Sequence, residues 1–130
     1  MSKKVPFVLS IAGFDPSAGA GVLADVKTFE QHRVYGFAIN TGNTIQTENK
    51  FFEMQWTDLA FVLKSLEKLF NNYTIKAVKI GIVPSLEYLK EIVFKIKAEG
   101  AMIERIRLQG LDRDVRGRQG HGRQHEKKRN

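Results

Sequence analysis

Short apolar runs alternate with helically spaced apolar stripes along the first hundred residues. Val5 to Ala12 is an almost unbroken apolar run ending at Gly13, the pattern of a buried strand. Gly13 to Gly21 is rich in Gly, Ala, Pro and Ser and reads as a loop. Val22, Leu23, Val26 and Phe29 then share one face of a helix. Tyr35 to Asn40 reads as a second strand, the polar stretch Thr41 to Lys50 as a loop, and Phe51 to Trp56 as a short strand. Thr57 suits a helix N-cap, because its hydroxyl can accept a free backbone N–H. Leu59, Val62, Leu63, Leu66 and Phe70 form the stripe that follows, and Asn71-Asn72 ends it. Ile75 to Ile80 is a further strand stopped by Gly81. Pro84-Ser85 opens a last helix with Leu86, Leu89, Val93 and Ile96 on one face, closed by Gly100.

Strands alternating with helices predict an α/β architecture with a largely parallel sheet, covered on both faces. Beyond Gly100 the pattern fades. Ala101 to Leu108 could extend the sheet, but Gly110 to Asn130 holds only Leu111 and Val115 as aliphatic residues. The charge changes at the same place. Residues 1–100 carry 12 Lys+Arg against 10 Asp+Glu, whereas residues 101–130 carry 9 against 4. Arg33 is the one arginine before Gly100, and seven follow it. The chain therefore divides into a folded unit, 1–100, and a basic tail, 101–130, that reads as disordered or out of frame.

Several chemistries are excluded. With no cysteine there is no disulfide framework, thiolate zinc site or thiol nucleophile. His32, His121 and His125 form no metal-ligand cluster, so no metal site is expected within the chain. No apolar run reaches the roughly 20 residues needed to cross a bilayer, and the basic start does not lead into a signal peptide. A cytoplasmic protein without a membrane partner is expected. The arginines and Lys127-Lys128 could contact nucleic-acid phosphates, but the tail lacks aromatic residues for stacking, so nucleic acid is not the expected partner.

The segment richest in chemistry is Gly13-Phe-Asp-Pro-Ser-Ala-Gly-Ala-Gly21, set between a strand and a helix. α/β proteins commonly bind ligands at the carboxyl ends of their strands. Glycines let the backbone approach a ligand, and the free N–H groups of a helix start favour anions or polar groups. Asp25, one turn into the helix, can accept hydrogen bonds from an amino-substituted ring, or it can simply be a favourable charge near a helix N-terminus. The loop can equally be a plain tight turn. A dinucleotide site matches Gly19-x-Gly21-x-x-Ala24, but Gly13 and Gly19 lie far apart and no acid occurs between Glu30 and Glu48 to bind a ribose. A nucleotide P-loop fails for want of Gly-Lys-Ser/Thr.

Ser10-Ile-Ala-Gly-Phe-Asp-Pro-Ser-Ala-Gly-Ala-Gly-Val-Leu-Ala-Asp25, followed by Val26-Lys-Thr-Phe29, resembles the opening signature of the hydroxymethylpyrimidine/phosphomethylpyrimidine kinases of thiamine biosynthesis. Val34-Tyr-Gly36, Gln46 and Val78-Lys-Ile-Gly81 resemble later family segments in the same order. The resemblance spans residues 5–100 and implies the amino-terminal portion of a ribokinase-like fold: a truncated three-layer αβα unit with a mainly parallel sheet. It implies ATP-dependent phosphorylation of 4-amino-5-hydroxymethyl-2-methylpyrimidine or its monophosphate, with ATP and Mg2+ as cofactors of full-length members and homo-oligomers common among them. By position it implies that Asp25 hydrogen-bonds the aminopyrimidine and that Gln46 faces the same ring. Gly13 and Ala20 would line the pocket, with Gly81 and Ile82 closing it.

The sequence departs from the family at Phe14, where Ser or Thr is usual, at Ala18, where glycine is common, and over Asn40 to Glu48. Bland alternatives stand beside the site roles: Gln46 as a solvated loop residue, Lys79 as structural, and Trp56 with Phe51-Phe52 as packing. The family's phosphoryl-transfer parts, an Asp-Pro-Val-like strand and a late glycine-rich anion hole with the catalytic base, lie later in the chain than Gly100 and are not found here. No catalytic residue is therefore assigned, and the chain alone is expected to be inactive as a kinase. Its last strand is expected to present an open edge.

Overall fold

The computed structural model describes residues 5–100 and 105–106. The chain runs β1 (Phe7–Phe14), α1 (Gly21–Gln31), β2 (Tyr35–Gln46), β3 (Phe51–Trp56), α2 (Leu59–Asn72), β4 (Ile75–Ile80), α3 (Leu86–Ala98) and β5 (Arg105–Ile106). The strands form one sheet in the order β3-β2-β1-β4-β5. β1 pairs parallel with β2 and β4, β4 pairs parallel with β5, and β3 is antiparallel to β2. The α/β prediction with a mainly parallel sheet is met. β5 adds a strand to the sheet within Ala101 to Leu108, where the sequence allows an extension; the rest of the tail, and the other expectations placed on it, lie outside the described residues.

Side-chain alternation sets the layers. Leu9 and Ile11 of β1 sit beside Ile39 of β2 and Val78 and Ile80 of β4, facing Val62 and Leu66 of α2 and Tyr88, Leu89, Ile92 and Ile96 of α3. These residues are the core. The opposite face carries Ser10 and Lys79, in register with each other, and receives α1. Gly36 of β2 is required there: a Cβ would lie 2.6 Å from Phe29 Cδ2. Three layers result, as expected.

Four local readings are corrected. β2 does not stop at Asn40 but runs to Gln46, because Gly42 to Gln46 pair with β3. Thr57 is not the cap of α2; that position is Asp58, and Thr57 instead gives its N–H to Thr41 O at 2.8 Å. In α3 the buried face is Tyr88, Leu89, Ile92 and Ile96, while Leu86 in the first turn is exposed. In α1 Leu23 is exposed, and Val22 is the buried member of the predicted stripe. Ser85 caps α3 by accepting from the Tyr88 N–H at 3.1 Å, and Gly100 ends it at φ +74°, as the sequence indicates.

Candidate functional site

The carboxyl ends of β1, β2 and β4 converge on an open cleft. Ala12, Gly13 and Phe14 reach it from β1, Thr44 and Gln46 from β2, Lys79 from β4, and Gly81 and Ile82 from the turn after β4. Asp15, Ala20 and Gly21 close the remaining side. Of the residues singled out from the sequence, Gly13, Ala20, Gln46, Gly81 and Ile82 line this cleft. Asp25 does not.

The glycine loop is held by its own hydrogen bonds. Asp15 Oδ1 accepts from the Ser17 N–H at 2.9 Å and the Ser17 hydroxyl at 2.7 Å. Burial pushes the Asp15 pKa up, but the Ser17 donors and the N–H groups of Ala20 and Gly19 outweigh it and hold the carboxyl below its ordinary value. Phe14 and Gly21 form an antiparallel bridge across the loop base. Gly21 has φ +67°, and a Cβ there would stand 2.0 Å from Gly13 O, so only glycine fits. Ala18 also adopts a left-handed φ, +61°.

Asp25 sits behind the cleft wall. Its Oδ2 accepts from Ser10 Oγ at 2.7 Å and its Oδ1 from Lys79 Nζ at 2.5 Å. The Asp25 side chain is 14% exposed and that of Lys79 29%. The member of this pair that reaches the cleft is Lys79, to which the sequence assigns a structural role; its register opposite Ser10 on β1 is set by tertiary pairing and carries no signal in the sequence. Thr44, also missed, lines the cleft and is 8% exposed. Its hydroxyl donates to Phe14 O at 2.8 Å and accepts from Gln46 Nε2 at 2.7 Å. Thr41 Oγ1 donates to Ile82 O at 2.7 Å, tying β2 to the turn after β4. Gln46 is therefore a bonded strand residue and not a solvated loop residue. Phe51, Phe52 and Trp56 are exposed on β3 rather than packed inside, although Trp56 Cε3 would touch a Cβ at Gly42.

A divalent cation does not fit the carboxylates at hand. Asp15 is engaged by its loop and Asp25 by Ser10 and Lys79, and among the described residues no group of three His, Cys, Asp or Glu could hold a metal. No helix among them is long and apolar enough to cross a membrane.

Comparison with known proteins falls on the same segment. The phosphomethylpyrimidine kinase family model matches residues 15–104. The hydroxymethylpyrimidine/phosphomethylpyrimidine kinase of Aquifex aeolicus is 40% identical over 87 residues, 67% of this chain and 34% of that protein. A Saccharomyces cerevisiae enzyme of the same description is 36% identical over 97 residues, 73% of this chain and 18% of that protein. The crystal structure of phosphomethylpyrimidine kinase from Clostridium difficile superposes with a TM-score of 0.71 at 37% identity, over 77% of this chain and 43% of that one. Bacillus subtilis pyridoxal kinase, solved as an ADP complex, superposes with a TM-score of 0.69 at 26% identity, over 79% of this chain and 40% of that one. The chain thus spans about a third of the Aquifex relative's length. Fold and sequence agree over these residues, and the chain belongs to the phosphomethylpyrimidine kinase family.

Proposed function

We propose that this chain provides the pyrimidine-binding part of an enzyme that phosphorylates hydroxymethylpyrimidine or its monophosphate with ATP. One observation carries this reading: five of the six residues that the family resemblance assigns to the pyrimidine line one cleft at the strand ends. Gly13, Ala20 and Gly81 give the ring close backbone approach, Ile82 offers an apolar wall, and Gln46 offers an amide to a heteroatom edge. Asp25 enters at one remove, as the counter-ion that holds Lys79 against the cleft. ATP would supply the phosphoryl group, and the cleft has no unengaged carboxylate pair for Mg2+.

The test is calorimetric titration of the 130-residue chain with 4-amino-5-hydroxymethyl-2-methylpyrimidine, with pyridoxal as the competitor suggested by the structural relatives. Saturable binding of the pyrimidine, weakened at least tenfold in Gly81→Val, supports the reading. A folded chain that prefers pyridoxal, or binds neither, refutes it. Turnover of ATP in the same samples separates a kinase from a binding module.

A further inference from the structure

The hydrogen-bond chain Gln46–Thr44–Phe14 has a direction, and the direction fixes what the cleft can recognise. A threonine hydroxyl has one proton to give and two lone pairs. Phe14 O is a carbonyl oxygen and can only accept, so the Thr44 proton is committed to it at 2.8 Å. Towards Gln46, Thr44 Oγ1 is then an acceptor alone, and the amide atom 2.7 Å away has to be an N–H donor. The Gln46 side chain is left with its carbonyl oxygen and one N–H for the cleft it lines.

Resting on the pyrimidine reading above, we propose that Thr44 is a specificity-positioning residue: it locks the Gln46 amide in the orientation that selects a 4-aminopyrimidine edge over a 4-oxopyrimidine edge. An aminopyrimidine presents an exocyclic N–H donor beside a ring-nitrogen acceptor, the complement of the oxygen and N–H that Gln46 retains. A 4-oxo ring in its N3–H form presents the reverse order. Accommodating it requires the Gln46 amide to flip, which sets Oε1 against Thr44 Oγ1 with no proton between them. A site with a hydrogen bond lost this way discriminates by about tenfold or more. Thr44 touches no reacting atom in this scheme; it is buried and acts through Gln46.

The experiment measures the affinity ratio of the full chain for 4-amino-5-hydroxymethyl-2-methylpyrimidine against its 4-oxo counterpart. Wild type is expected to prefer the amino ring by about tenfold or more. Thr44→Ser keeps the hydroxyl and should keep the ratio. Thr44→Val frees the amide and should bring the ratio close to one, whereas a loss of packing alone would weaken both ligands equally. An unchanged ratio in Thr44→Val overturns the proposal. Should that variant not fold, side-chain amide NMR of ligand-free wild type decides: one Gln46 Nε2 proton slow to exchange upholds the lock, and two fast protons overturn it. Wild type that binds neither ring defeats the functional reading, while the NMR result still settles the orientation separately.

Discussion

Replacing Gly13 with alanine tests the wall of the cleft most directly. A Cβ at position 13 would stand 2.7 Å from Ile82 Cδ1 and 3.1 Å from Ile82 Cγ1. Comfortable carbon contacts begin at about 3.5 Å, so Cδ1 must retreat by nearly 1 Å. Ile82 is only partly buried and its terminal methyl can swing into the cleft, which places the cost near the low end of overpacking, about 1 kcal/mol. Ile82→Val removes Cδ1 and costs about 0.5–1 kcal/mol by itself. In the double variant the clash with Cδ1 is gone, so the losses should fall short of additivity by about 1 kcal/mol. Urea unfolding followed by circular dichroism, with the denaturant slope unchanged across the four proteins, measures the cycle. The same samples should show pyrimidine affinity reduced about tenfold in Gly13→Ala and mostly recovered in the double variant. Additivity within about 0.5 kcal/mol would show that positions 13 and 82 do not meet as described, and the reasoning would fail.

Asp25→Ala deprives Ser10 and Lys79 of their partner; for a half-buried pair the loss should be about 2 kcal/mol, between exposed and buried ion pairs, and a chemical denaturation midpoint in Asp25→Asn should recover part of it. Tyr88→Phe leaves Thr57 O without the hydroxyl that donates to it at 2.8 Å and should cost about 1–2 kcal/mol in the same assay. Burial first, and the nearby Asp58 charge second, push the Tyr88 pKa up to about 12. Its protonated form is favoured by folding, so its contribution is intact below pH 10 and is lost as pH rises towards 12; stability should fall less steeply over that range in Tyr88→Phe. Ala18→Gly relieves a left-handed φ of +61° at a cost of about 1–2 kcal/mol to alanine, and even after the extra freedom of the unfolded glycine chain it should raise the melting temperature.

The sequence made most of the architecture legible because apolar spacing reports burial directly. β1, β4, α2 and α3 were found where Leu9, Ile11, Val62, Leu66, Val78, Ile80, Leu89 and Ile96 now form the core. It misled where polar side chains are buried by bonding. Thr41 and Thr44 read as loop residues, yet each gives its hydroxyl proton to a carbonyl across the structure, Ile82 O and Phe14 O, and so sits inside a strand. Hydropathy favours Leu86 over Tyr88 because it does not reveal that the Tyr88 hydroxyl has Thr57 O to bond. The site was legible in its glycines, whose need is steric and local, and in Gln46 through the family resemblance. Asp25 was legible as a polar residue near the mouth but not as one turned to Lys79, because a charge pair 54 positions apart depends on how β4 registers beside β1.

The six residues by which β2 outruns its expected end carry Thr44 and Gln46 on a ladder that pairs with β3 from Gly42 to Gln46 and is anchored to β1 as far as Phe14↔Asn43. A loop in that place would have to freeze each time a ligand arrived, losing about 1–2 kcal/mol of backbone entropy per residue ordered. Here that ordering is completed during folding. Ligand capture can then be limited by encounter rather than by rearrangement of this wall, and amide hydrogens from Gly42 to Gln46 should exchange on the slow timescale of the sheet with or without ligand.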